Sequence, residues 1–547
     1  MGMLKYFNKY LEHQDILKGK QLIFSDMAFW NPAELIGCKP RPLSFDLFDI
    51  LFMKKAWRLG LQPLGYKDVK PHGLMEKFIT KPYINVNLAF QSLIPNVIPD
   101  KYNEKLQNYY INKLVNQGYL HDKVEFEILL SAFDFNISER MKELLDYDFT
   151  HQDISYILDC LAIFTRQLIN QSDAFFEDIM NKVSALEKLR MQNVDGLRSD
   201  NIKININTLS NLLNTCEELG AVSFAQSARL AFIAESLLRS LIPTNVITKE
   251  LYNSIKSSFN TVGYNLTCAI ADVANGRLSR SDFMKEYGHL RSGTYDITQT
   301  RYDLSEMQFS DNKIEKNTKP ISVDQIEKLN RYLKDSQLNI EFNDLYVFAK
   351  KAIELREYVK LIFTRSVSDC LEAIAHIGLQ NDLSRQDASF LNVEEILSID
   401  KLNLDDIKGI VSQRMRDFEI NKNINLPSLI FNQNDFSIIY GLNSKPNFVS
   451  QAQITGEIVV LDHKNEKNDL SNRIVMIESA DPGYHWIFNH RIKALITKFG
   501  GAASHMAICC AEMNIPAAIG CGEKYNSLMQ FNKILLDCEN EIIEGIN

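Results

Sequence analysis

The sequence predicts a multidomain chain with a small mixed α/β N-terminal part, a mainly α-helical central region and a C-terminal α/β domain. Three observations predict this division. The chain has 547 residues, more than one ordinary domain contains. Between about residues 100 and 430, apolar side chains recur at spacings of three and four, as in amphipathic helices. Near residue 440 that period gives way to short strand-like and turn-like segments.

The N-terminal part, residues 1–95, is predicted to mix short strands with interrupted helices. The segments QLIFSDM and YINVNLAF have strand character, and several prolines between them break helices. In the central region, residues 96–435, proline is rare. Its apolar period is clear in LLSAFDFNISERMKELL and in DLYVFAKKAIELREYVKLIF, and both segments are predicted to be helices.

The C-terminal domain, residues 447–547, is predicted to alternate strands with short helices. RIVMIES is typical of a buried strand, and KALIT (493–497) of a short one. Residues 436–446, within the polar stretch FNQNDFSIIYGLNSKP, separate this domain from the helical region and are predicted to form a hinge.

Composition excludes several classes of protein. A net charge of −9 argues against nucleic-acid binding, which needs a basic face. There is no apolar run long enough for a bilayer and no signal-peptide core near the N-terminus, so we expect no membrane partner. The nine cysteines lack CxxC spacing, which favours reduced thiols in a cytoplasmic protein. His485 and His490 lack a carboxylate or cysteine partner, so no metal site is predicted.

The most informative stretch reads ITKFGGAASHMAICCAEMNIPAAIGCG. Gly500 and Gly501 allow a tight turn, Ser504 is a suitable N-cap, and His505 then opens a helix that ends near Asn514. A helix N-terminus favours a bound phosphate and a neutral imidazole, and histidine can act as a covalent nucleophile. The alternative is a histidine that only makes hydrogen bonds at a helix end.

This stretch resembles the phosphohistidine segment of phosphoenolpyruvate synthase, pyruvate phosphate dikinase and rifampin phosphotransferase. The resemblance extends over about residues 445–547. It implies that the C-terminal domain is a swivelling phosphohistidine domain and that His505 accepts a phosphoryl group. It further implies phosphate contacts from four residues before the histidine: Thr497, Gly500, Gly501 and Ser504. Thr497 could instead bond the imidazole.

The segment FMKEYGHLRSGTYDITQTRYD (284–303) resembles a block in the acceptor-binding part of rifampin phosphotransferase. The resemblance implies that the helical region is the acceptor domain. His289 is then a candidate general base, and Arg291 a candidate for binding the phosphoryl group or an acceptor carboxylate. Asp296 and Arg301 are weaker acceptor-binding candidates. The alternatives are a hydrogen-bonded structural loop, and an ion pair between Asp296 and Arg301.

A third segment, SDMAFWNPAELIGCKPRPLS, resembles the start of the acceptor region in a subgroup linked to capsule and surface polysaccharides. L-glutamine kinase belongs to that subgroup, which implies the side-chain amide of L-glutamine as the acceptor. Asp26, Asn31 and Glu34 are then acceptor-binding candidates. The alternative is that this polar group only caps a helix that starts at Pro32.

The family resemblance also implies partners and cofactors. Its members carry an ATP-grasp domain that binds ATP and Mg²⁺. Only about 20 residues precede QLIFSDM, and they hold no glycine-rich loop, so we expect that domain in cis or in trans and no cofactor within this chain. ATP is expected to give AMP and phosphate. Two other functions stay open: a rifampin-type transfer to a hydroxyl, and a non-catalytic docking module, for which Phe499 and Ala511 depart from the family pattern.

Overall fold

The structure is a computed structural model. It describes residues 22–69, 73–305, 307, 309–310, 320–421, 424, 426–431, 435, 445–461, 469–502 and 504–546. The predicted hinge at 436–446 lies outside the described residues except for its last two positions, so the hinge and the domain boundaries stay predictions.

Helices dominate the described part of the chain up to residue 421. In its first half they are α1 (Pro32–Leu35), α2 (Pro42–Phe48), α3 (Ala56–Leu59), α4 (Val86–Ser92), α5 (Asn103–Asn116), α6 (Val124–Glu127), α7 (Ile137–Met141), α8 (His151–Asn170), α9 (Ser172–Asn193) and α10 (Ile202–Thr215). The remaining ones before the C-terminal sheet are α11 (Val222–Ser240), α12 (Lys249–Ser257), α13 (Val262–Ala274), α14 (Arg280–Tyr287), α15 (Val323–Asp335), α16 (Phe342–Leu379), α17 (Arg385–Ala388), α18 (Val393–Leu397) and α19 (Leu404–Asn421).

The longest helix, α16, forms the axis of the helical region. Its 38 residues pack against α9, α10 and α11, and more than half of its side chains are buried. The DLYVFAKKAIELREYVKLIF prediction is therefore confirmed. The segment LLSAFDFNISERMKELL is helical only in its second half, because earlier backbone amides bond to other helices: Phe133 N donates to Thr165 Oγ1 and Phe135 N to Ser240 Oγ.

The N-terminal residues contribute to a small antiparallel sheet of order β2-β3-β1-β4. Its strands are β1 (Phe24–Ser25), β2 (Met75–Phe78), β3 (Lys81–Asn85) and β4 (Leu429–Ile430). The strand predicted from YINVNLAF ends early. Asn85 caps α4 by accepting a hydrogen bond from Leu88 N, so the VNLAF half is helical.

The C-terminal residues form a seven-stranded sheet of order β11-β10-β6-β7-β8-β9-β5. Its strands are β5 (Asn447–Val449), β6 (Gln453–Val460), β7 (Ile474–Ser479), β8 (Ala494–Phe499), β9 (Ala517–Ile519), β10 (Lys533–Asp537) and β11 (Ile542–Ile546). The pairs from β6 to β9 are parallel, and apolar layers cover both faces. The strands predicted from RIVMIES and KALIT are confirmed. Helices α20 (His505–Glu512) and α21 (Glu523–Leu528) connect strands of this sheet.

The C-terminal sheet docks on the helical region through α20 and the 3₁₀ turn Pro482–His490, which both contact α13. Two hydrogen bonds fix the contact: Thr261 Oγ1 donates to Glu512 Oε1 over 2.6 Å, and Tyr302 OH donates to Gly483 O over 2.9 Å. The start of α20, with His505, therefore faces the helical region. Among the described helices, none is both long enough and apolar enough to cross a bilayer.

Candidate functional site

The glycine-rich loop before α20 has the predicted local structure. Gly500 has φ +144°, and an added Cβ there would lie 2.6 Å from Ala480 Cβ, so no larger residue fits. Ser504 caps α20 by accepting from Ala507 N, and Asn514 closes the segment with φ +51°. Thr497 does not bond the imidazole. Its Oγ1 accepts from Gly520 N over 3.0 Å, which ties β8 to the loop after β9.

His505 is buried at the contact with the helical region, with 6% of its surface exposed. Its Nδ1 lies 3.3 Å from Oε2 of Glu357 on α16, and its Nε2 lies 3.1 Å from Nδ1 of His485. Gly263 on α13 makes this approach possible, because an added Cβ would lie 3.2 Å from His505 Cε1. The helical region thus supplies part of the surroundings of the imidazole.

Glu357 is ionised and fixes which nitrogen of His505 is free. Burial raises the pKa of Glu357, but the hydrogen bond with His505 and the charge of Arg356 outweigh it and lower this pKa to about 2. A carboxylate only accepts hydrogen bonds, so Nδ1 of His505 carries a proton toward it. In the neutral form of the ring, Nε2 is then the nitrogen with the lone pair.

His485 and Cys509 lie on the other side of that nitrogen. Thr267 Oγ1 donates to Gly263 O, so it accepts the Nε2 proton of His485 over 2.9 Å. Burial lowers the pKa of His485 well below its usual value, so its Nδ1 presents a lone pair to His505. Cys509 Sγ lies 3.5 Å from His505 Nε2 and 3.6 Å from His485 Nδ1, and burial raises the pKa of this thiol.

A cavity of about 40 Å³ joins His505 to the acceptor-side candidates. Its lining includes His289, Arg291, Glu357, Lys360, Thr364 and His505. Burial and the charges of Arg365, Arg301 and Arg190 lower the pKa of His289 well below its usual value, so its imidazole is neutral and can accept a proton. The structure therefore brings His289 and Arg291 to the cavity that His505 also lines.

Arg291 has a structural set of partners. Its Nη2 donates to Glu372 Oε1 over 3.0 Å and to Ser368 Oγ over 2.9 Å, which holds residues 288–301 against α16. Burial lowers its pKa to about 10. These partners favour the structural-loop alternative for this residue.

The alternative ion pair between Asp296 and Arg301 is wrong. Asp296 Oδ1 accepts from Thr298 Oγ1 and lies 3.5 Å from Arg41 Nη1. Arg301 pairs with Asp303 and Asp369 instead. Asp296 therefore faces a cleft, whereas Arg301 joins the loop to α16.

The three polar residues near Trp30, which are Asp26, Asn31 and Glu34, do not form one cluster. The buried Asp26 carboxylate pairs with Lys81 Nζ over 2.7 Å and is not part of a cluster with the other two residues. Asn31 Nδ2 and Gly501 N both donate to Glu34 Oε2, over 3.4 and 3.2 Å. Pro32 opens α1 as predicted. Asn31 and Glu34 thus contact the glycine-rich loop, and burial raises the pKa of Glu34.

A larger cleft of about 1450 Å³ lies between the C-terminal sheet and the helical region. Its polar lining includes Arg41, Ser292, Asp296, Thr298, Asp481 and Lys498. Gly483 and Arg291 line the small cavity, and their neighbours Asp481 and Ser292 line the cleft. The two segments are in close contact, since an added Cβ at Gly483 would lie 1.9 Å from Arg291 O.

Sequence reasoning missed several residues of the site. Glu357 had a usable signal: it is a carboxylate on the apolar face that Ile353 and Leu361 mark at spacings of four. Gly263 and Thr267 had no such signal. Cys509, interpreted as a packing residue, and His485 form with His505 a three-ligand group that the prediction of no metal site overlooked.

His490 is not part of that group. Its ring packs at right angles on Trp486, with centroids 5.7 Å apart. The spacing suggested His485 and His490 as a pair of ligands. In the fold, His485 lies beside His505 instead.

Two comparisons with known proteins cover parts of this chain. Residues 470–541 match the family model described as PEP-utilising enzyme, mobile domain. A rifampicin phosphotransferase from Bacillus cereus is 24% identical over 272 residues, covering 44% of this chain and 31% of the relative. The chain thus spans about a third of that relative's length. Both similarities support the superfamily and a phosphotransferase-type function.

Proposed function

We propose that the protein transfers a phosphoryl group from ATP through phospho-His505 to a small acceptor held by the helical region. The observation that carries this proposal is the setting of His505. Its Nδ1 is held by the ionised Glu357, and it lines one cavity together with the neutral His289. These are the groups that a phosphoryl carrier and its acceptor site need.

In the first half-reaction, the Nε2 lone pair of His505 attacks the β-phosphorus of ATP. The Nε2–Pβ bond forms as the bond from Pβ to the oxygen that bridges to Pα breaks, which releases AMP and leaves a pyrophosphoryl group on the ring. Water then cleaves off the γ-phosphate, so phosphate leaves and the former β-phosphoryl group stays on Nε2. An ATP-grasp domain, in cis or in trans, would bind the ATP and Mg²⁺.

The docked arrangement leaves no room for this step. The cavity beside His505 measures about 40 Å³, close to the volume of one water molecule. Phosphorylation therefore requires the C-terminal sheet to leave the helical region, and we propose a hinge at 436–446 for that movement. The burial of His505 by Glu357 and Gly263 is then a property of the docked state.

In the second half-reaction, the phosphorylated domain docks again and the acceptor attacks phosphorus. The Nε2–phosphorus bond breaks, and His289 takes the proton of the attacking group. Lys360 lines the same cavity and places a positive charge near the transferred phosphoryl oxygens. We propose the amide nitrogen of L-glutamine as the acceptor, on the N-terminal resemblance to the capsule-linked subgroup.

A hydroxyl acceptor is the second candidate. It is favoured by the similarity to a rifampicin phosphotransferase and by the cleft of about 1450 Å³, which exceeds the needs of an amino acid. Release of AMP in the presence of L-glutamine or of rifampicin separates the two acceptors. Stimulation by rifampicin alone would exclude glutamine.

The test of the carrier supplies the chain with its ATP-binding half, ATP and Mg²⁺. We expect an acid-labile, base-stable phosphate on this chain that is lost in His505→Ala. His490→Ala is the matched control, because His490 is a half-buried histidine of the same domain that lines the larger cleft and not the cavity beside His505. Equal labelling of His505→Ala and wild type would refute the carrier. Absence of label in all forms would favour the docking module.

A further inference from the structure

Three ligand atoms beside the carrier histidine have the spacing of a metal site. His485 Nδ1 and His505 Nε2 are 3.1 Å apart, and Cys509 Sγ lies 3.6 and 3.5 Å from them. In tetrahedral zinc sites, Zn–N bonds of about 2.0 Å and Zn–S bonds of about 2.3 Å put two nitrogens about 3.3 Å apart and a nitrogen and a sulfur about 3.5 Å apart. The three observed distances differ from these zinc-site distances by about 0.2 Å or less.

The fold also orients the two imidazoles. The Nε2 proton of His485 goes to Thr267 Oγ1, and the Nδ1 proton of His505 goes to Glu357. Metal-binding histidines characteristically donate their second N–H to a carboxylate or another fixed acceptor. His505 and Cys509 are four residues apart on α20, so both project from one face of the helix.

All three ligand atoms belong to buried side chains and lie within 4.8 Å of one another, so one ion can reach all of them. A cation at the centre of the triangle uses both nitrogen lone pairs and the sulfur together. We propose that His485, His505 and Cys509 bind a borderline-soft divalent metal ion of the Zn²⁺ class, with water as the fourth ligand.

Binding converts the Cys509 thiol to a thiolate, and its proton leaves to solvent. Two nitrogens and a thiolate select transition metals, whereas Mg²⁺ and Ca²⁺ need oxygen ligands. The ion takes the Nε2 lone pair of His505, which is also the pair that accepts phosphate. Metal binding and phosphorylation therefore exclude each other, and Zn²⁺ inhibits the carrier. This inhibition rests on the proposed function, but the metal site does not.

The binding test adds Co²⁺ to the metal-free full chain and follows the cobalt–thiolate absorption. We expect one equivalent to bind with that band, and Zn²⁺ to displace it. Cys509→Ser should lose the band, and His485→Gln should weaken binding by more than about 100-fold, since loss of a mere outer-shell partner costs about 10–100-fold. Glu357→Gln removes such an outer-shell partner and should weaken cobalt binding by about 10–100-fold. Cobalt binding without the band, or unchanged affinity in both ligand variants, would overturn the site.

Matched controls separate ligand loss from misfolding. Cys510 is a buried neighbour that packs in the apolar layer of the sheet, and His490 lies in the same 3₁₀ turn as His485. Cys510→Ser and His490→Gln should bind cobalt like the wild type. If Cys509→Ser has a lowered thermal midpoint, His485→Gln decides the outcome, and wild-type affinity in that variant would contradict the proposal.

The inhibition test repeats the phosphate-labelling assay with Zn²⁺. Labelling of the wild type and of Cys510→Ser should stop at one equivalent of Zn²⁺, whereas labelling of Cys509→Ser, relative to its own zinc-free rate, should persist. Cobalt binding with no labelling under any condition would refute the proposed function and leave the site standing. Labelling without cobalt binding would refute the metal site and leave the proposed function standing.

Discussion

Gly263→Ala tests whether the docked arrangement is needed for transfer. Gly263 lies in the first turn of α13, where it faces α20. A Cβ added there would lie 2.5 Å from Cys509 Sγ and 3.2 Å from His505 Cε1. The substitution adds one methyl group at the contact between the C-terminal sheet and the helical region, and it leaves every charged group in place.

The expected size of the effect follows from these distances. Nonbonded contacts are favourable at about 3.5–4.0 Å, so α20 must retreat by about 1 Å. Overpacking of this kind costs about 1–3 kcal/mol, which lowers the ratio of docked to undocked molecules by about 5- to 150-fold. Within a helix, alanine is more favourable than glycine by about 0.5–1 kcal/mol, so the helical region itself should not lose stability.

Two measurements report on docking. Hydrogen exchange of the peptide that contains residues 505–512 should become faster, because the docked helical region protects it. The transfer of phosphate from His505 to L-glutamine should slow by a similar factor, whereas loading of His505 from ATP should not slow. Gly409→Ala is the matched control, since Gly409 lies in the exposed part of α19 with nothing within 4 Å of an added Cβ.

The result that would refute this reasoning is specific. If Gly263→Ala and Gly409→Ala show the same exchange and the same transfer rate, the contact between α13 and α20 has no role in the transfer. Slower loading with unchanged transfer would mean that docking serves the nucleotide step instead.

Three further predictions concern single side chains. Glu357→Gln removes the carboxylate that orients the docked ring of His505, so transfer of phosphate from His505 to the acceptor should slow by at least about tenfold while loading from ATP stays unchanged, and wild-type transfer kinetics would contradict that role. Burial raises the pKa of Asp49 from 3.8 to about 6, so the folded state holds more protons across that range and stability falls as pH rises from about 4 to 6. Asp49→Asn should remove this fall, of about 3 kcal/mol, in urea unfolding at pH 4 and 7; an unchanged pH dependence would refute the shift. Thr497→Val removes the hydrogen bond from Gly520 N to Thr497 Oγ1 and should cost about 0.5–1.5 kcal/mol in thermal unfolding, and an unchanged midpoint would exclude this role.

Local features made the glycine-rich loop and α20 predictable. The cap at Ser504, the left-handed turn at Asn514 and the stop at Pro516 all lie within a dozen residues of His505. The same reasoning identified the long helix α16 from its apolar period. It failed at YINVNLAF, where a side-chain cap at Asn85 competed with strand propensity.

Contacts between distant segments were not predictable in this way. Glu357 and Gly263 lie 148 and 242 residues before His505 along the chain, and their meeting depends on how the sheet docks. Thr497 was assigned to phosphate or to the imidazole, because a local pattern does not show that Gly520 N lies nearer. Periodicity identifies the face of a helix that is buried, but it does not identify what covers that face.

The contacts of the docked state also bear on when it forms in the proposed cycle. Glu34 accepts from Gly501 N, which is one of the amides expected to hold phosphate, and His485 with Cys509 borders the nitrogen that would carry the phosphoryl group. A phosphoryl group at Nε2 would compete with His485 and Cys509 for space. The structure therefore fits the carrier after delivery, and in the loaded carrier these side chains must move aside while α13 and α20 stay in contact. Release for the next cycle then includes the exchange of hydrogen bonds such as that from Gly501 N to Glu34, of about 1 kcal/mol each, for bonds to water.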